Sequence, residues 1–347
     1  MKKLIKTGLA AGMALTALVG CGGHKNTLKV YNWGEYADMS VIKAFEKEYD
    51  CEVVYETYDS NETMYTKLQG GNEYDIMVPS EYMIERLIKE DLIQKIDWSL
   101  ITNKDNLDNT VLNQEFDKNN DYWVPYFYGN VGIVYDKTKV SESDLSAGWE
   151  VLRNTKYKGN IYMYDSERDS FMVALKALGY SMNSTDENEA KEAYEWLLEQ
   201  RKTMDPTYGG DDTIDAMKNS EKAMAVMYSG DAAAVMAENE DMGFYMPNEG
   251  TNLWFDGFVV SKTCKDTEMA MNFINFMISD ENALKNTCEV GYRTTNVKAA
   301  KEAQESDFNG ISAYGIRTDN KNDEVFAYQE QSVKEMYSNY WTKVKAQ

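Results

Sequence analysis

The chain has 347 residues, a net charge of −22 and a single histidine, His24. That length favours two domains over one core, and a field of that sign repels nucleic acid and anionic lipid. A lone histidine argues against histidine-based triads and histidine-rich metal sites.

MKKLIK at the start is a basic n-region. The apolar stretch TGLAAGMALTA that follows is too short to anchor stably across a bilayer, and LVGC then ends at Cys21. This order has the layout of an export leader over residues 1–20. LVGC is similar to a bacterial lipobox, which makes Cys21 the lipidated first residue of the exported chain. Several acyl chains there hold a protein stably at a membrane surface. Residues 21–27 are then a tether, and loss of the three leader lysines takes the net charge to −25. Cys51, Cys264 and Cys288 remain, an odd number. A Cys264–Cys288 bond suits an exported protein, but free buried thiols are the expectation. No CxxC metal spacing is present.

LKVYNW (28–33) reads as a strand and 37–49 as a helix capped by Asp38, with Val41, Ile42, Phe45 and Tyr49 on one face. A strand over 51–58, a helix over 60–71 closed by Gly70 and Gly71, a strand over 74–80 and a helix over 81–92 follow. Further on, 131–136, 161–165, 223–229 and 254–260 read as strands. Helices are expected over 168–179, 186–202, 230–240, 266–279 and 333–346. Strands alternating with helices give an α/β protein, mainly parallel, with helices on both sheet faces.

Ligands of open α/β sheets bind at the carboxyl ends of strands. The segments found there are WGEY (33–36), PSEY (79–82), DSERD (165–169), Tyr228, WFD (254–256) and VGYRT (290–294). They are rich in aromatics and carboxylates and lack a Gly-rich phosphate loop, so no cofactor is expected; the GG pairs at 70–71 and 209–210 read as cap and turn. Helix N-termini behind such loops favour anions, and carboxylates reverse that field. Aromatic faces attract cations by about 0.5–2 kcal/mol each, and ammonium–carboxylate hydrogen bonds add about 1.5–3 kcal/mol apiece. Separated carboxylates between aromatic walls suit an extended aliphatic polycation. Residue by residue, plainer roles compete. Asp165 or Ser166 can cap the helix at 168–179, Asp231 reads as a helix N-cap, and Trp33 and Trp254 can be core. Tyr126, Phe127 and Tyr128 read as packing.

The chain resembles the spermidine/putrescine-binding proteins of bacterial ABC transporters. YNWGEY (31–36), YETYDSNETMYTKL (55–68), YDIMVPSEY (74–82), IQKIDWSLITN (93–103), FDKNNDYWVPY (116–126), LWFD (253–256), VGYRTTN (290–296) and YSNYWTKVKA (337–346) carry the likeness, which runs from about residue 28 to the C-terminus. The resemblance implies a two-domain binding-protein fold, type II-like, with mixed sheets flanked by helices and a ligand cleft between the domains. The chain leaves the first domain near 129–132 and returns near 254–257. One domain is then 28–130 plus 256–300, the other 131–255 plus 301–347.

The resemblance also implies a non-catalytic protein that passes polyamine to a membrane permease. Trp33, Glu35, Tyr36, Ser80 and Tyr82 would line the first-domain wall. Asp169 matches a family Glu that holds an ammonium group, Trp254 and Asp256 match an aromatic–carboxylate pair, and Tyr292 matches a wall aromatic. The family Asp three residues before that Glu falls on Ser166, with Asp165 as a substitute. A family Trp is Tyr228, and a family Gln is Ala327, with Tyr328 or Gln329 beside it.

Two other classes fit the bare residues: a binding protein for a sugar or amino acid, and a surface glycosidase with Asp165 and Asp169 as its carboxylate pair. The WGEY and LWFD matches favour the polyamine reading. The expected protein is a monomer, exported and lipid-anchored on the outer face of the cytoplasmic membrane or in the periplasm, with no nucleic-acid partner and no metal.

Overall fold

The computed structural model describes residues 26–347. The leader, Cys21 and the tether through Lys25 lie outside the described residues. The first described strand starts at Asn26, two residues before the strand expected from Leu28.

The strands are β1 (Asn26–Trp33), β2 (Cys51–Tyr58), β3 (Ile76–Met77), β4 (Ile93–Gln94), β5 (Val124–Asp136), β6 (Ile161–Tyr164), β7 (Thr207–Gly209), β8 (Met224–Tyr228), β9 (Met242–Tyr245), β10 (Leu253–Ser261) and β11 (Arg293–Thr294). They are joined in the order β2-β1-β3-β10-β5-β8-β6-β7, with β4 on β10 and with β9 and β11 on β5. The expected parallel pairing holds for β1 with β2 and β3, and for β6 with β7 and β8. β5 and β10 run antiparallel to each other and to their other neighbours, so the sheet is mixed.

The segment 125–130 is continuous with the strand expected over 131–136. All of β5 is buried except Tyr135, which is half-buried. Pro125 does not break it, because the register against β10 shifts between Asp256 and Gly257 at that point. The strand expected over 74–80 shrinks to two residues. Beyond it Pro79 accepts from the Gly257 amide at 3.2 Å, and Ser80 forms an isolated bridge with Asp256.

Several helices begin where a side chain satisfies a first amide. The Asp38 carboxylate accepts from Ser40 N at 2.7 Å to start Met39–Tyr49, which buries Val41, Ile42 and Phe45. Ser166 Oγ accepts from Asp169 N at the start of Glu167–Ala177. Among the described residues, no helix is long and apolar enough to cross a membrane. Cys264 and Cys288 are not joined by a disulfide.

Candidate functional site

The carboxyl ends of β1, β3, β6 and β8 converge on the first half of β10. Asp256 sits at the β10 register shift, 6% exposed. Its Oδ2 accepts from the Tyr36 hydroxyl at 2.5 Å. Oδ1 is buried without a hydrogen-bond partner. Burial pushes the carboxyl up to about 6, against the pull of the Ser80 and Tyr36 hydroxyls, and no cation of the protein acts on it.

Asp169, buried in the first turn of Glu167–Ala177, is the second carboxylate. Its Oδ2 accepts from Ser166 Oγ at 2.6 Å and from the Tyr228 hydroxyl at 3.0 Å. Burial raises its pKa, while these hydroxyls and the Arg168 charge oppose the rise. Ser166 is thus both helix cap and donor to the carboxylate.

Trp254 stands between the two groups. Its ring meets Tyr292 at 5.2 Å and Tyr228 at 6.0 Å, both edge to face. It lies over Gly129, where a Cβ would come within 2.6 Å of the indole. Tyr292 follows the helix Asp280–Val290 and lies over Gly230, where a Cβ would come within 1.8 Å of the ring. Tyr292 also meets Tyr36 at 5.6 Å. Trp254 Nε1 is buried with no partner. An open N–H and an open carboxylate oxygen thus lie two residues apart on β10.

The structure therefore brings together Tyr36, Ser80, Ser166, Asp169, Tyr228, Trp254, Asp256 and Tyr292. Trp33 stands at the edge of this group, 6.4 Å from Tyr36 ring to ring, with its Nε1 donating to Val78 O at 2.8 Å. Tyr82 is buried, but the Arg168 guanidinium lies 3.7 Å over its ring, and its hydroxyl meets Asn61 and Glu62. Two expected residues are not brought in. Glu35 is exposed, at φ 51° in the turn after β1. Asp165 is exposed and ion-paired with Lys345 at 2.6 Å, so it does not stand in for the carboxylate absent at Ser166. Near the C-terminus, Ala327 is exposed, and the Tyr328 ring is already faced by Lys334 at 4.4 Å and Lys89 at 5.0 Å.

The cap reading of Asp231 is wrong. The helix Ser229–Glu238 is capped by Tyr228, and Asp231 lies inside its first turn. Its carboxylate accepts from the Tyr292 hydroxyl at 2.6 Å and the Tyr164 hydroxyl at 3.1 Å. Burial pushes it up to about 6, again with no cation acting on it. Its place just beyond the end of β8 was a signal for the site, masked by its helical position. Glu81 was also missed. It is 1% exposed, accepts from the Phe255 amide at 2.9 Å, and is pushed up to about 8 by burial, helped by Asp256. Among the described residues, no cluster suited to a metal ion occurs. Buried carboxylates with aromatic faces and little internal cation favour an organic cation.

The model of the bacterial extracellular solute-binding protein family matches residues 40–309. The spermidine/putrescine-binding periplasmic protein of Escherichia coli K12 is 34% identical over 349 residues, which cover 100% of this chain and 99% of that one. Among solved structures, a Listeria monocytogenes protein assigned to a spermidine/putrescine ABC transporter has a TM-score of 0.84 and 36% identity, covering 92% of this chain and 99% of its own. The spermidine/putrescine ABC transporter substrate-binding protein of Streptococcus pneumoniae has a TM-score of 0.81 and 37% identity, with the same coverage.

Proposed function

The chain belongs to the bacterial extracellular solute-binding proteins, a family of transport components with a two-domain fold, and on that premise we propose that it captures a polyamine for an ABC importer. The ligand lies in a cleft between a domain of residues 28–130 with 256–300 and a domain of 131–255 with 301–347. Asp256 and Asp169 take its ammonium groups, and Trp254, Tyr36, Tyr228 and Tyr292 cover its methylenes. The loaded protein delivers its cargo to the permease while held at the membrane by lipid on Cys21.

The observation that carries this reading is Asp256 Oδ1, a buried carboxylate oxygen with no partner and no nearby cation of the protein. A sugar site would leave hydroxyl-pairing amides open. Here the residues that converge are carboxylates and aromatic faces, which favours an ammonium ligand. A glycosidase reading has no support from the pair it needs, since Asp165 is bound to Lys345.

Calorimetric titration of the purified protein with spermidine, spermine, putrescine and cadaverine tests the proposal. The expected dissociation constant for spermidine or putrescine is about 1 μM or tighter, roughly −8 kcal/mol. No heat with any of the four, alongside binding of a sugar or amino acid, would overturn it.

A further inference from the structure

β3 and β10 run antiparallel, with Met77 opposite Val259 and Ser80 bridged to Asp256. One residue further, the same register sets Phe255 opposite Glu81. The main chain of Glu81 is no longer extended there, because it opens the helix Glu81–Lys89. Its side chain takes the place of the missing rung. Oε2 accepts from the Phe255 amide at 2.9 Å, and Glu81 is 1% exposed. The rung before it is the Gly257 amide on Pro79 O at 3.2 Å. A buried amide needs such an acceptor. On the other edge of β10 the register with β5 shifts between Asp256 and Gly257, which disrupts that ladder locally. Phe255 lies between Trp254 and Asp256, whose side chains leave the opposite face of the strand. Trp254 Nε1 and Asp256 Oδ1 make no hydrogen bond, so the aim of both side chains depends on the main chain that carries them.

We propose that Glu81 is a positioning residue for ligand binding: its side chain extends the β3–β10 ladder by one rung and fixes the aim of Trp254 and Asp256. This rests on the polyamine reading above and adds to it a residue that acts through others. The reach of the side chain matters here and its charge does not. Asp256, Arg168 and Tyr82 face the Glu81 carboxyl, and burial pushes it up to about 8, so near neutral pH it is mostly uncharged. Glutamine has the same length and an acceptor oxygen. Aspartate keeps the acid but is one methylene shorter. Trp254 and Asp256 sit on the same stretch of strand, so loss of the rung weakens binding of every polyamine alike.

The test is calorimetric titration of E81Q and E81D with spermidine and putrescine near neutral pH, alongside NMR spectra of protein carrying nitrogen-15 phenylalanine. E81Q is expected to stay within about threefold of the unmodified protein for both amines and to keep the Phe255 amide signal in place. E81D is expected to lose about tenfold or more for both amines, and its Phe255 amide proton should move upfield as the acceptor is lost. Affinity kept in E81D but lost in E81Q would overturn the inference, because charge and not reach would then be at work. An E81D protein with the moved signal and unchanged affinity would overturn it too. Should E81D fail to fold, E81Q decides: retained affinity with an unmoved Phe255 signal supports the inference, and a tenfold loss overturns it. Binding of neither amine by the unmodified protein would overturn the proposed function instead. The Phe255 signal needs no ligand and reads the contact in either case.

Discussion

Tyr36 donates its hydroxyl to Asp256 at 2.5 Å across 220 positions of the chain. The bond ties the turn after β1 to the register shift in β10 and occupies one carboxylate oxygen, leaving the other open. D256N removes the charge and keeps the shape. It should weaken polyamine binding at least tenfold, about 1.4 kcal/mol, measured by calorimetry at pH 7.5. An unchanged affinity would remove Asp256 from the site.

Binding should depend on pH in a direction set by the carboxylates. Asp256 and Asp231 are both pushed up to about 6 by burial. Tyr36, Tyr58 and Glu81 face Asp256, and Tyr164, Tyr292 and Asp211 face Asp231. An ammonium ligand favours the ionised carboxylates and stays protonated to about pH 10, as lysine does. Affinity should therefore be flat above about pH 7 and fall as pH drops through about 6, by up to roughly tenfold per pH unit for each group. Dissociation constants that stay level from pH 8 to pH 5 would contradict this.

Glu81 sets a stability trend of its own. Its folded pKa, about 8, lies above the ordinary glutamate value. A raised acid contributes stability that is full below the unfolded pKa and is lost as pH rises through the folded one. E81Q keeps an acceptor for the Phe255 amide and abolishes the titration. Between pH 5 and 8 the unmodified protein should lose stability relative to E81Q, by at most about 1.4 kcal/mol per pH unit. Denaturant unfolding at several pH values reads this difference, and parallel curves for the two proteins would refute the assignment.

Arg168 and Tyr82 come from opposite groups of strands, the helix after β6 and the helix after β3. The guanidinium lies 3.7 Å over the ring, 3.9 Å from Glu62 and 5.1 Å from Phe326. Nearby, the Tyr328 amide donates to Glu85 at 2.7 Å. These contacts join residues from the two groups of strands. Ligand-free R168A should be less compact in small-angle scattering than the unmodified protein, and polyamine should restore part of the difference. Superimposable curves for the two ligand-free proteins would exclude a latch.

Long elements were legible because their signals are local. Asp38, Ser60 and Asp186 cap helices that apolar periodicity outlines. β1 and β2 show strand composition along eight residues each. β4, β7, β9 and β11 have two to four residues, too few for a period, and exist through their partners. β5 was split because Pro125 and two glycines punctuate it, and only the facing β10 shows that the strand continues. The site was legible where aromatics and carboxylates cluster in one loop, as at 254–256. Asp231 was not, because its hydrogen-bond partners lie 61 and 67 positions away.

The place of β10 between β3 and β5 also governs when this protein can fold. Made in order, β1 to β4 lack the strand that joins them to the rest until residues 253–261 exist, and the first half of β5 waits for the same segment, while its second half pairs with β8 and β9. Contacts of such long sequence separation slow folding far more than they weaken the product. The amino-terminal strands thus stay unjoined to the rest through most of synthesis, and capture of β10 is the step that ties them to β5.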